Sequence, residues 1–207
     1  MKRLILSVFL FSIFSMCFAQ NSAKKDALIL YNNGRYAESI AVCEEELVEN
    51  PYRIESYVVM CWALVKNKQY KEAEQRANEG LAISPFDVRL TEVLGEAKYY
   101  LGKNAQAMEQ FQKYVANAQN NASRLSTAYY FMGEIYIKQG RYQHADISFT
   151  AACKIDSTVD KWWVRCAYAR EMAENYSEAV TAYEEALRLN PSNVDATTGR
   201  ERVSKKL

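Results

Sequence analysis

One short phrase recurs along this chain at an almost fixed interval. It is spelled NNGRYAESI from Asn32, NKQYKEAEQ from Asn67, KQGRYQHAD from Lys138 and AENYSEAVT from Ala173. The residue at its turn recurs 34 residues apart, with one step of 38, at Gly34, Lys68, Gly102, Gly140 and Glu174. A fixed period of this length indicates stacked helical hairpins. The longer step predicts a four-residue insertion in QNNASR, around Asn120 to Arg124.

Small residues fill two fixed columns of the repeat. One column holds Ser39, Ala73, Ala107, Ala145 and Ala179, and the other holds Ala27, Cys61, Gly95, Gly133 and Ala167. Two helices approach closely only where their side chains are small, so the columns mark where the helices of each hairpin cross. Apolar residues otherwise recur at helical spacing and no stretch alternates as a strand would, which predicts an all-α chain.

These columns carry a resemblance to a known family. The stretch YYFMGEIYIKQGRYQHADISF holds Tyr129, Met132, Gly133, Tyr136, Ala145 and Phe149, and the next unit holds Trp163, Ala179, Tyr183, Ala186 and Pro191. The pattern resembles the tetratricopeptide repeat. The resemblance implies an α-α superhelix, or solenoid, of five hairpins over residues 20–193, with repeats at about 20–53, 54–87, 88–121, 126–159 and 160–193. Residues 194–207 are then expected to form a capping helix, because terminal repeats need a polar outer face.

The first nineteen residues differ in composition from the rest. Lys2 and Arg3 precede an apolar run from Leu4 to Phe14, and small side chains follow at Cys17 and Ala19. This order is typical of a secretory signal peptide, cleaved here after Ala19. It predicts an exported, periplasmic protein from a bacterium with two membranes. Two alternatives stay open, an uncleaved anchor and a lipoprotein attached through Cys17.

The charge of the mature chain gives no reason to expect a polyanionic partner. Cleavage removes Lys2 and Arg3 from the 26 basic residues and leaves 24 against 25 acidic residues, with the two signs interspersed. We therefore expect no nucleic acid as a partner. A membrane is expected only if Cys17 is lipidated or the signal is uncleaved.

No motif for catalysis, a metal or a cofactor stands out. The chain has one histidine, His144, and lacks both an H-E-x-x-H motif and a phosphate-binding glycine loop. We expect no enzyme activity, no cofactor and no metal site. Four cysteines remain after cleavage, and they are either buried free thiols or the disulfide pairs Cys43–Cys61 and Cys153–Cys166.

One further face of each first helix lies about 120° from the packing columns. In the tetratricopeptide family this side lines the concave surface that holds partner peptides. The resemblance therefore implies a partner-binding groove at Tyr31, Val58, Trp62, Glu92, Glu96, Tyr99, Tyr130, Glu134, Tyr168 and Glu171. The alternative is that these residues pack sideways against neighbouring first helices.

The chemistry of this face suggests what it binds. Family members that grip a C-terminal carboxylate use basic and amide side chains at places that here hold Val58, Glu92, Tyr130 and Val164. We expect instead a protein or peptide with apolar side chains and with basic groups that match the four glutamates. The predicted function is an exported scaffold for protein binding. The alternatives are a periplasmic small-ligand-binding or transport accessory protein and a lipid-anchored envelope-assembly factor.

Overall fold

A computed structural model describes residues 26–119 and 122–207 of the chain. This part consists of eleven helices and has no strand. They are α1 (Ala27–Asn32), α2 (Tyr36–Glu49), α3 (Ile54–Lys66), α4 (Tyr70–Ile83), α5 (Val88–Tyr100), α6 (Asn104–Asn117), α7 (Leu125–Lys138), α8 (Tyr142–Ile155), α9 (Asp160–Met172), α10 (Tyr176–Leu189) and α11 (Val194–Ser204). The predicted signal peptide, with Cys17, lies outside the described residues. Among the helices described, none is long and apolar enough to cross a membrane.

The helices stack in chain order as five hairpins followed by a single helix. Each helix contacts the next one along the chain, and the first helices also contact one another, α1 with α3, α3 with α5 and α5 with α7. The stack is therefore tighter on the side of the first helices, which makes that side concave. The predicted fold class, an all-α solenoid of five hairpins and a capping helix, is confirmed.

The turn inside each hairpin places one residue in the left-handed backbone region. Three of these residues are glycines with φ between 68° and 75°, and the other two are Lys68 and Glu174, with φ of 62° and 63°. In the first turn, the N–H of Arg35 donates to the carbonyl of Leu30 and the N–H of Gly34 to that of Tyr31, both at 2.9 Å. This pair of bonds ends a helix with its last carbonyls satisfied.

The predicted insertion lies between α6 and α7. The linkers between other consecutive hairpins have four residues each, at 50–53, 84–87, 156–159 and 190–193, whereas residues 118–124 separate α6 from α7. Arg124 is the last residue of this longer linker and the N-cap of α7. The insertion thus delivers an arginine to the start of the fourth hairpin.

Both small columns are buried where the helices cross. A Cβ atom added to Gly95 would lie 2.9 Å from the Phe111 ring, and one added to Gly133 would lie 2.6 Å from the Phe149 ring. Real Cβ atoms do not approach other atoms this closely. At Gly95 and Gly133 the column must therefore stay small, because an aromatic ring of the second helix lies directly against the glycine.

The capping helix docks through the same kind of contact. A Cβ atom on Gly199 of α11 would overlap the ring of Tyr183, a side chain that is 2% exposed on α10. Arg202 of α11 also donates to both carboxylate oxygens of Glu171, at 2.6 Å each. The Tyr183 hydroxyl donates to the same carboxylate at 3.1 Å. One glycine, one ring and one ion pair thus fix the end of the solenoid.

We expect Gly199→Ala to destabilise the protein by about 1–3 kcal/mol, because the added methyl group must push α11 away from Tyr183. In an open helix position the same change would stabilise by up to about 1 kcal/mol, so the sign of the effect is diagnostic. Urea unfolding checks it, with Thr198→Ala at the neighbouring exposed position as the control. A Gly199→Ala protein more stable than its parent would contradict this docking contact.

Candidate functional site

The structure divides the ten predicted groove residues into two groups. The five aromatic residues, Tyr31, Trp62, Tyr99, Tyr130 and Tyr168, are each partly buried and keep some exposed surface. Val58, Glu92, Glu96 and Glu171 are buried, and the Glu134 side chain is 13% exposed. All ten lie on first helices, on the concave side of the stack. The aromatic group thus reaches solvent as the prediction requires, whereas of the other five residues only Glu134 keeps some exposed surface.

Each groove glutamate is held by an arginine from the following unit. Arg124 donates from Nε to Glu92 Oε2 at 2.6 Å and from Nη2 to Glu96. Arg165 forms a two-bond pair with Glu134, at 2.5 and 3.0 Å. Together with the Arg202–Glu171 pair, these contacts form what we call the concave braces. They join α5 to the start of α7, α7 to α9, and α9 to α11.

The braces correct one expectation from the sequence. The groove glutamates were expected to face basic groups of a partner, and the structure instead pairs them with arginines of this chain. The physical reason is burial, because a carboxylate removed from water needs a cation and hydrogen-bond donors close by. The sequence did contain the signal, since Arg165 and Arg202 follow Glu134 and Glu171 by 31 residues, close to the repeat period.

The brace at Glu92 has an unusual electrostatic setting. Glu92 is fully buried, and its Oε1 has no hydrogen-bond partner among the described residues. Burial raises the pKa of Glu92 to about 7, with Arg124 opposing the change and Glu96 adding to it. One guanidinium therefore serves two buried carboxylates, and Glu92 is the carboxylate that takes up a proton as the pH falls toward neutrality.

An aromatic cluster lines the N-terminal part of the groove. The ring centroids of Tyr31 and Trp62 are 5.9 Å apart, and those of Tyr31 and Tyr36 are 5.8 Å apart. Burial raises the pKa of Tyr31, and Arg124 and Glu96 also act on it. The three rings thus join the first hairpin to the second.

A second aromatic cluster lines the C-terminal part of the groove. Tyr130 stacks on Trp162 with ring centroids 5.6 Å apart, and Tyr99 lies 4.9 Å from Phe131. Cations cover two of the exposed rings, because Lys138 Nζ is 3.9 Å from the Tyr99 centroid and the Arg165 guanidinium is 5.2 Å from that of Tyr168. Trp162 was missed in the sequence, where its neighbour Trp163 occupies the aromatic position of the repeat.

The four cysteines and the histidine among the described residues lie in different settings. The four described cysteines are buried free thiols at Cys43, Cys61, Cys153 and Cys166. This favours free thiols over the two disulfide pairs that the sequence left open. Burial raises the pKa of Cys43 and Cys153 to about 12, so neither thiol is ionised near neutral pH. His144 is exposed, and its Nε2 lies 2.8 Å from Nη2 of Arg141.

Comparison with known proteins agrees with this geometry. The tetratricopeptide repeat family matches residues 126–158, the fourth hairpin, and residues 161–193, the fifth. The chain therefore carries tetratricopeptide repeats (TPRs) in its fourth and fifth hairpins, and the whole stack has the fold of a TPR solenoid. TPR proteins are typically scaffolds that bind protein or peptide partners, and typically not enzymes.

Solved structures share the TPR fold at low sequence identity. The pilF protein of Pseudomonas aeruginosa is 13% identical over 87% of this chain and 80% of its own, with a TM-score of 0.76. YrrB, a TPR protein described as having an unusual peptide-binding site, is 19% identical over 87% of this chain and 89% of its own, with a TM-score of 0.65. A thermophilic TPR protein from Thermus thermophilus is 20% identical over 86% of this chain and 95% of its own, with a TM-score of 0.63. These likenesses show the fold.

The raised pKa of Glu92 predicts a pH dependence of stability. The folded pKa of about 7 lies above the unfolded value of about 4.3, so the folded state binds the proton more tightly. The resulting stabilisation is full below pH ~4.3 and is lost as the pH rises through ~7. Between pH 5 and 8 we expect the free energy of unfolding of the parent to fall on the order of 2 kcal/mol further than that of Glu92→Gln, which has no carboxylate at this position.

Urea unfolding at a series of pH values measures this difference. Glu184→Gln, at an exposed position of α10, is the control and should follow the parent. If the parent and Glu92→Gln lost the same free energy of unfolding over this range, the proton would not be bound at Glu92.

Proposed function

We propose that this TPR protein is an exported scaffold that binds an apolar segment of a protein partner in its concave groove. The observation that carries the proposal is that the five groove aromatics keep exposed surface while the glutamates between them are paired internally. Large aromatic side chains that stay accessible in a concave surface are the usual anchors of a protein interface. Their rigid first helices hold them in place before binding.

The concave braces change the chemistry expected of the partner. Because Glu92, Glu96, Glu134 and Glu171 are already paired with arginines, the groove offers a partner little uncompensated negative charge. Aromatic rings and partly exposed arginine edges remain. These surfaces fit a segment with aromatic or aliphatic side chains, and they do not require it to be basic.

The place of action is also part of the proposal. Residues 1–19 begin with basic residues, continue with an apolar run and end with small side chains before the cleavage site. This order supports export to the periplasm. The mass of the protein recovered from cell fractions tests this, with a chain that begins at Gln20 in the periplasmic fraction as the expected result. An unprocessed chain in the cytoplasm would contradict export, and a diacylglyceryl addition on Cys17 would replace a free periplasmic protein with a lipid-anchored one.

We expect substitution of the groove aromatics to abolish partner capture. The variant is Trp62→Ala with Tyr168→Ala, one residue from each half of the groove, and both are partly exposed. Tyr130 is left in place because its stack on Trp162 supports the fold. Anchors of this kind are worth about 2 kcal/mol each, so binding should fall by roughly two to three orders of magnitude.

The measurement is a quantitative pull-down from envelope extract, followed by titration of the captured protein. The matched control is Ile147→Ala, which removes an apolar side chain, 69% exposed, from the second helix α8. Far-UV circular dichroism establishes that all baits are equally helical. Capture by the parent and the control but not by the groove variant is expected. Equal capture by all three would place the binding site outside the concave groove.

A further inference from the structure

Two linkers between hairpins display a large aromatic side chain to solvent. Tyr52 follows Pro51 between α2 and α3, and Phe86 follows Pro85 between α4 and α5; their exposed fractions are 76% and 93%. The two residues are 34 apart, one repeat, so both lie on the edge of the solenoid where consecutive hairpins join. We call this surface the linker edge. It is separate from the concave groove.

The turns that carry these side chains are well ordered by hydrogen bonds. The N–H of Tyr52 donates to Asn50 Oδ1 at 3.1 Å, and the N–H of Arg53 donates to the Asn50 carbonyl at the same distance. In the next linker, Asp87 donates its N–H to the carbonyl of Ser84 at 3.2 Å. The aromatic rings are therefore presented on fixed turns, which lowers the entropy lost when they bind.

The fold does not require an aromatic residue at this place in the linker. The equivalent residues of the other two four-residue linkers are Thr158 and Ser192, and both are exposed. Their linkers make the same kind of turn, because the N–H of Thr158 donates to Asp156 Oδ1 and that of Ser192 to Asn190 Oδ1. A small hydroxyl side chain thus serves the turn as well as Tyr52 does. Exposed aromatics that the fold does not need indicate an interaction site.

A depression opens on the same edge, next to Phe86. Its volume is about 560 Å³, and it is lined by Pro85, Phe86, Val88, Thr91, Lys113 and Asn117. Pockets that hold small organic ligands begin at about 300 Å³, so this one has room for an aromatic side chain. A projecting ring and a depression that can receive one therefore lie one repeat apart on one edge.

We infer that the linker edge joins two copies of this chain, with Tyr52 of each copy seated in the depression beside Phe86 of the other. A two-fold axis between the projecting ring and the depression brings both contacts together, as a closed dimer requires. Phe86 forms a wall of the depression, so the same event covers both exposed aromatics.

The charges of the edge favour a second copy over a lipid surface. Glu55, three residues after Tyr52, pairs with Arg89 at 2.8 Å, and Lys113, on the rim of the depression, pairs with Glu109 at 2.8 Å. Exposed pairs of this kind contribute little to stability, so the two-fold arrangement can exchange them for Glu55–Lys113 pairs between the copies. The edge also carries Asp87 and Arg89, and such a mixture of signs is poorly suited to an anionic bilayer.

Sedimentation equilibrium of the full chain over a wide concentration range tests the inference. The variant Tyr52→Ser introduces the residue found at Ser192, so its thermal unfolding should match that of the parent. We expect the parent to dimerise and Tyr52→Ser to associate roughly 1,000-fold more weakly, because both copies lose the ring and each anchor is worth about 2 kcal/mol. Ile147→Ser, which removes exposed apolar surface from α8, should dimerise like the parent.

A mixing experiment identifies the contact itself. In Asn117→Arg, a longer side chain at the wall of the depression fills it. Asn117 is exposed and is the last residue of α6, where a positive charge interacts favourably with the helix dipole, so the variant should stay folded. Tyr52→Ser lacks the projecting ring and Asn117→Arg lacks the depression, so neither variant should pair with itself. A mixed pair keeps one ring in one depression, and we expect it to form more tightly than either variant alone.

Three results would overturn the inference. They are a parent that stays monomeric at every concentration, a Tyr52→Ser variant that dimerises like the parent, and a mixed pair no tighter than its components. Binding of monomeric parent to phosphatidylglycerol-containing vesicles, lost in Tyr52→Ser, would assign the edge to a membrane instead. None of these results bears on partner capture by the concave groove, because Trp62 and Tyr168 are unchanged.

Discussion

The concave side of this solenoid depends on arginines that reach back to glutamates of the preceding unit. A single helical hairpin cannot bury its apolar face and gains stability only by stacking on its neighbours. Arg124, Arg165 and Arg202 connect successive first helices on the side where those helices are closest. Because the glutamates are largely removed from water, loss of an arginine would leave a buried carboxylate without compensation, which is far more costly than the loss of a surface pair.

The braces also determine what the groove offers to a partner. They neutralise the acidic residues that would otherwise dominate the concave surface, and they leave two clusters of aromatic rings on either side of the Glu92 brace. The insertion before α7 matters here, since it places Arg124 where it can serve Glu92 and Glu96 together. The groove that results is defined more by its shape and its rings than by charge.

Much of the fold could be predicted from the sequence because the repeat is a property of local geometry. A turn residue every 34 positions and two small columns identified the hairpins, the crossing points and the place of the insertion. The aromatic half of the groove followed from the same register. Helical periodicity indicates which side of a helix a residue lies on, and this was sufficient for Tyr31, Trp62 and Tyr168.

The burial of the glutamates could not be predicted from helical periodicity. Alignment of the repeats relates residues that occupy the same position in successive units. Each brace instead joins two different positions of the repeat, such as Glu134 near the middle of α7 and Arg165 earlier in α9. Arg124 belongs to the insertion, so the repeat register does not predict its position. Val58 is fully buried because α3 is packed between two other first helices, a contact that depends on the curvature of the whole stack.

A double-mutant cycle on Glu134 and Arg165 measures how strongly a brace couples two successive units of the stack. The cycle compares the free energies of unfolding of Glu134→Gln, Arg165→Gln, the double variant and the parent, and so isolates the coupling between the two side chains. For a partly buried, two-bond pair between units we predict a coupling of about 1–2 kcal/mol. A coupling near zero, as for many exposed pairs, would contradict the account and return Glu134 to the set of side chains free to bind a partner.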